Sequence, residues 1–139
     1  MKATIELKEG VNFEGFTGSG HKISIDGPQE HGGRNLGARP MELVLLGMGA
    51  CTAFDVVHIL RKSRLEVAGC HVELEADRAD EVPKVFTRIH VQFTITGKDL
   101  NDNAVKRAIE LSAEKYCSAS IMLGKTAKIS HGYEIIRPK

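Results

Sequence analysis

Cysteine is scarce in this chain. Its 139 residues hold three, Cys51, Cys70 and Cys117, too few for the disulfide framework of a small secreted domain. None belongs to a CxxC pair, which argues against a structural zinc site, and the remaining histidine spacings form no HxH or HExxH pattern, so no metal is expected. Charge of one sign is also lacking. Nineteen basic residues against eighteen acidic ones leave a net charge of +1, which gives no basic face for nucleic acid. Long apolar runs are absent too. The opening MKATIELKEG lacks the apolar core of a signal peptide, so the cytoplasm is the expected compartment. The most apolar stretch, Leu43 to Phe54, holds twelve residues with two glycines, short of the about 20 that a membrane span needs, and it reads as a helix buried in protein. There is no P-loop, no GxGxxG after a strand and no GxSxG.

What remains is ordinary globular composition, 42% hydrophobic and 27% charged, of a size for one domain over residues 1–139. The N-terminal third alternates short β-like runs with turns. Ala3 to Leu7, Val11 to Phe16 and Lys22 to Ile25 read as three antiparallel strands separated by Lys8-Glu9-Gly10 and Gly18-Ser19-Gly20. Residues 28–40 form a loop rich in Gly, Arg and Pro, with Gly32-Gly33-Arg34 as a flexible stretch carrying a cation. Pro40 suits a helix start, and a long helix is predicted from Met41 to about Arg64. Its first half is apolar all round, which implies burial on every side. Val67 to Ala76 and Val85 to Thr96 alternate as strands, the second with Ile89, Val91, Phe93 and Ile95 on one face. Asn101 or Asp102 caps a second helix to about Cys117, with Val105, Ile109, Ser112 and Tyr116 in one stripe, and Ala127 to Ile136 is a last strand. The order βββ-α-ββ-α-β is an α+β arrangement, expected as two antiparallel sheets packed around long central helices.

Cys51 lies mid-helix among small residues, Gly47-Met48-Gly49-Ala50-Cys51-Thr52-Ala53, where it either packs as a small hydrophobe or admits a close approach of substrate. Cys117, before Ser118-Ala119-Ser120, sits at the expected C-terminal end of the second helix, where the negative end of the dipole disfavours a thiolate. The 65 residues between the two say nothing about their proximity. Cys70 is in phase with Val72 and Leu74 and reads as structural. On an ideal helix Asp55 lies about 40° and His58 about 20° from Cys51, but His58 is about 10.5 Å along the axis, too far for direct proton transfer. Asp55 and His58 are expected to hydrogen-bond each other or a neighbouring loop.

The blocks Gly37-Ala38-Arg39-Pro40-Met41-Glu42-Leu43, Leu46 to Ala53 and Ala113-Glu114-Lys115-Tyr116-Cys117-Ser118-Ala119-Ser120, with the order of elements around them, resemble the osmotically inducible protein C and organic hydroperoxide resistance (OsmC/Ohr) superfamily, its OsmC-like branch in particular. The resemblance implies an intertwined homodimer and a thiol peroxidase acting on organic hydroperoxides. It makes Cys51 the peroxidatic and Cys117 the resolving thiol, with no bound cofactor and an external dithiol, lipoyl-type in the family, as reductant. Nucleic acid and membrane are not expected partners. An apolar substrate pocket would draw on Leu43, Leu46, Met48 and Phe54. The peroxidases of the superfamily pair their cysteine with an arginine from the N-terminal strands, whereas no arginine here precedes Arg34, and their glutamate ten residues before the cysteine is replaced by Met41. Arg39 or Arg34 is then the candidate thiolate-stabilising cation, and Glu42, about 180° from Cys51 on the helix, a weak candidate for orienting it. A binding protein for apolar ligands and a redox sensor are the alternatives on the same fold.

Overall fold

The computed structural model describes all residues from Met1 to Lys139, and they cluster into two compact units, Met1–Leu46 and Gly47–Lys139. The first unit is built on a meander of β1 (Ala3–Glu9), β2 (Asn12–Thr17) and β3 (Lys22–Asp26), all antiparallel. Gly10 at φ +56° supplies the left-handed conformation that the turn from β1 to β2 requires. All of β1 is exposed, including Ile5 and Leu7.

The loop that follows is not the flexible segment its composition suggests. Asp26 is buried, and its Oδ2 accepts the amides of Arg34 and Leu36, each at 3.0 Å, while Oδ1 accepts that of Gly27 at 2.9 Å. Three backbone donors on one carboxylate fold the loop into a closed shape, with a 3-10 turn at Gln29–His31 and a bridge from Ile25 to Ala38. Polar groups that composition counts as solvated are thereby satisfied inside the loop.

Helix α1 (Pro40–Lys62) runs from this unit into the next and ends where Arg64 takes φ +64°. Met48, Thr52, Val56 and Leu60, four apart, form its buried line, and Gly49 lets the helix press on the sheet: a Cβ there would lie 2.7 Å from Leu74. The expectation of burial on every side is not met within one chain. Leu46 is 60% and Phe54 67% exposed, because one sheet covers only one face of a helix.

The second sheet joins β4 (Gly69–Arg78), β5 (Phe86–Thr96) and β6 (Lys128–Ile136) in the order β4-β5-β6. Strand β5 is central, and Ile89, Val91, Phe93 and Ile95 are wholly buried, as the alternation predicts. This sheet is mixed rather than antiparallel. β4 and β5 pair as a hairpin, but β6 runs parallel to β5 because the chain returns through helices before re-entering the sheet.

Those helices depart from the single helix expected between 102 and 117. Helix α2 (Asp102–Leu111), capped by the Asn101 side chain on the Ala104 amide, gives way to a π-helical turn, Ser112–Tyr116, and then to α3 (Ser118–Leu123). In a regular helix the residue four after Ser112 is Tyr116. The wider turn instead brings Cys117 onto the buried stripe and leaves Tyr116 exposed.

Candidate functional site

The site forms in the second unit where the middle of α1 meets the π-helical turn. Cys51 and Asp55 are one helical turn apart on α1, and both are half-buried. Cys117 comes from the end of the π-helical turn and is fully buried. The two sulfurs and a carboxylate oxygen of Asp55 all lie within 4.8 Å of one another. The fold thus brings together the two cysteines singled out in the sequence and adds Asp55 to them. Cys70 lies outside this cluster, on exposed β4 opposite Ile95.

A chain of hydroxyls fixes the geometry. Ser112 donates its hydroxyl to Asp55 Oδ2 at 2.9 Å, and the hydroxyls of Thr52 and Ser112 are also 2.9 Å apart. Because the single Ser112 proton goes to the carboxylate, Thr52 must donate to Ser112. Thr52 and Ser112 are both wholly buried, so the chain locks α1 against the start of the π-helical turn at the level of the thiols. Asp55 therefore binds the first residue of the π-helical turn rather than His58 or a loop, and His58 instead stacks on Phe54 with ring centroids 5.6 Å apart.

Cys117 does not sit at a plain helix C-terminus. Its extended backbone makes it the N-cap of α3, and its sulfur accepts the Ser120 amide at 3.3 Å. Burial pushes its thiol above the ordinary range, and the contact with Cys51 adds to the rise against the opposing pull of Ser120.

The other candidates fall differently. Arg34 pairs with Glu9 at 3.4 Å, and Arg39 donates to Asn35 Oδ1 at 3.2 Å and to the Gly37 carbonyl at 3.1 Å. Glu42 accepts the Arg39 amide at 2.8 Å, which makes it a cap for the start of α1 rather than an orienter of a thiol. Met48 belongs to the closed core, wholly buried, and lines no open pocket in this chain. Leu43 is half-buried, and Leu46 and Phe54 remain open to solvent. The cavity beside the site has other walls: about 430 Å³, lined by Asp55, His58, Ile59, Lys62, Leu111 and Tyr116. Thr52 and Ser112 were the functional partners that sequence reasoning missed. The available signal was a serine inside an otherwise apolar stripe, since a buried hydroxyl needs a partner.

Residues 31–132 match the family model described as OsmC-like protein. The chain is 46% identical over 139 residues to Protein YhfA of Escherichia coli K12, with 98% of each chain covered. Among solved structures, a hypothetical protein from Aquifex aeolicus superposes with a TM-score of 0.87 at 28% identity, covering 99% of this chain and 97% of that one. An organic hydroperoxide resistance protein OsmC from Legionella pneumophila superposes at 0.70 with 18% identity, covering 96% and 97% respectively, and so shares the fold. With a family match across most of its length and a relative 46% identical over nearly all of both chains, the chain belongs to the OsmC-like protein family.

Proposed function

We propose that this protein is a homodimeric, thiol-dependent peroxidase of the cytoplasm that reduces organic hydroperoxides. The observation that carries the reading is the convergence of the Cys51 and Cys117 sulfurs, 66 positions apart in sequence, within 4.8 Å. Cys51 is partly open to solvent while Cys117 is sealed, which suits Cys51 to meet the peroxide and Cys117 to resolve the product. The Cys51 thiolate attacks the distal oxygen of ROOH, the O–O bond breaks, and the alkoxide leaves as ROH after taking a proton. The resulting sulfenic acid is attacked by Cys117, a disulfide forms, and the hydroxide leaves as water. An external dithiol, of the lipoyl type that the family resemblance implies, returns both thiols by exchange. The cation that favours the thiolate is, in this reading, Arg39 or Arg34 supplied by the second subunit. The name of the Legionella structure, organic hydroperoxide resistance protein, agrees with such a role.

The dimer is supported by apolar surface that one chain leaves on water. Ile5, Leu7 and Ile23 of the meander and Val44, Leu46 and Phe54 of α1 are all exposed. Helix α1 as a whole, Pro40–Lys62, is longer and more apolar than its twelve-residue core suggested, long and apolar enough to cross a membrane, and little of it is buried within one chain. Asp55 on this helix is tied to Ser112 of the π-helical turn, an anchorage that favours a second copy of the chain over lipid as the cover.

One equivalent of cumene hydroperoxide added to the reduced protein should produce a two-proton mass loss that links the Cys51 and Cys117 peptides. Turnover with a dithiol should vanish in Cys51→Ser. Oxidation confined to methionines, with no linked peptides, overturns the proposal.

A further inference from the structure

The cluster has the donor set of a divalent metal site, and from that geometry we propose that the reduced protein binds one Zn²⁺ per chain through Cys51, Cys117 and Asp55. This deepens the peroxidase reading by adding a regulator of the same thiols, although the binding itself does not depend on turnover.

The ligands come first. Zinc takes thiolates at about 2.3 Å and carboxylate oxygens at about 2.0–2.2 Å, so tetrahedral ligand atoms lie roughly 3.5–3.8 Å apart. The three atoms here fall within 4.8 Å of one another, and small side-chain rotations of half-buried Cys51 and Asp55 close the remainder. Two sulfurs and one oxygen leave a fourth position open, the arrangement of zinc sites that keep an exchangeable water.

Outer contacts of the kind that orient metal ligands are also in place. The Ser112 hydroxyl occupies Oδ2 of Asp55 and leaves Oδ1 free to coordinate, and the Ser120 amide points at the Cys117 sulfur. The cavity of about 430 Å³ that Asp55 lines gives a solvated approach. Electrostatics favours the same occupant. Three groups that ionise to anions converge with no basic side chain hydrogen-bonded to any of them, and a divalent cation would compensate all three at once.

The consequence is a mutual exclusion. A disulfide offers no thiolates, so oxidation must expel the metal: the zinc dithiolate and ROOH, with two protons, give the disulfide, free Zn²⁺, ROH and water. Bound metal conversely holds both sulfurs as ligands and slows the attack on peroxide.

The test titrates fully reduced wild-type protein with Zn²⁺ against a chromophoric chelator and repeats the titration with Co²⁺ as a spectroscopic probe. Expected are one ion per chain, a thiolate-to-cobalt charge-transfer band lost in Cys51→Ser and Cys117→Ser and kept in Cys70→Ser, and an affinity at least tenfold weaker in Asp55→Asn. The oxidised wild-type protein, folded and of unchanged sequence, should bind none and so controls for variants that unfold. One equivalent of hydroperoxide should release one equivalent of Zn²⁺. Absence of the charge-transfer band, or an Asp55→Asn affinity equal to wild type, overturns the proposal. Metal binding without peroxide consumption would sink the peroxidase reading alone, and turnover without metal binding would sink only this one.

Discussion

The amide of Cys117 donates to the carbonyl of Ser112 at 2.8 Å, five residues back rather than four. That one wide turn decides which side chain faces α1. Under α-helical spacing Tyr116 would lie beneath Ser112, while here Cys117 does. Removing the exposed Glu114 should narrow the turn to four residues and keep Cys117 beneath Ser112, so the disulfide with Cys51 still forms after a peroxide pulse. Inserting one alanine after Glu114 should rotate Cys117 away by about 100° and abolish the linked peptides while Cys51 sulfenic acid accumulates. Mass spectrometry with a sulfenic-acid trap reads both. Loss of the disulfide in the deletion would mean that something other than residue count positions the sulfur.

The hydroxyl chain predicts a stability effect. Ser112→Ala removes the acceptor of Thr52 and the donor to Asp55 together, and the wholly buried Thr52 hydroxyl has no solvent access to replace its partner. A loss of about 1–3 kcal/mol is expected from such buried, unsatisfied groups. Urea unfolding of reduced wild type and variant measures it. Thr52→Val, which leaves the Ser112–Asp55 bond intact, should cost less. Equal stability of Ser112→Ala and wild type would show that the chain is decorative.

Much of this was legible beforehand, for physical reasons. The strict alternation of Ile89, Val91, Phe93 and Ile95 identified the central strand because a two-residue period allows no other buried face. The two cysteines were legible through resemblance, not through spacing. The π-helical turn was not, since its residues Ser112–Tyr116 carry ordinary helical propensities, and only tertiary packing selects five over four. Asp26 was invisible for a related reason. Its role depends on amides of Arg34 and Leu36, and every residue but proline supplies an amide. The parallel pairing of β6 also escaped, because alternation tells which face is buried and not which way a strand runs.

The thiols should differ in reactivity. Cys117 is sealed and its pKa is raised above the ordinary 9.0 by burial, with Cys51 adding to the rise, so at neutral pH it stays in the thiol form. Timed alkylation of the reduced protein should modify Cys51 at least tenfold faster than Cys117. The Cys117 rate should climb about tenfold per pH unit and keep climbing beyond pH 9, since thiolate forms only as pH passes the raised value. In urea the two rates should converge. Equal rates in the native protein would remove the division of labour between them.

Asp26 makes the N-terminal unit sensitive to acid. The amides of Leu36 and Arg34 hold its carboxyl below the ordinary 3.8, with Gly27 and Arg39 contributing and burial opposing. A carboxyl lowered in the folded state stabilises fully above the ordinary value, and that contribution is lost as pH falls through the lowered one. The amide resonances of Arg34 and Leu36 should therefore shift together on acidification, with a midpoint below 3.8. In Asp26→Asn the loop amides should show no such transition, and the variant should unfold at lower urea than wild type at neutral pH, with the gap narrowing in acid. A midpoint at or above 3.8 would mean that the three amides do not bind the charged form in preference.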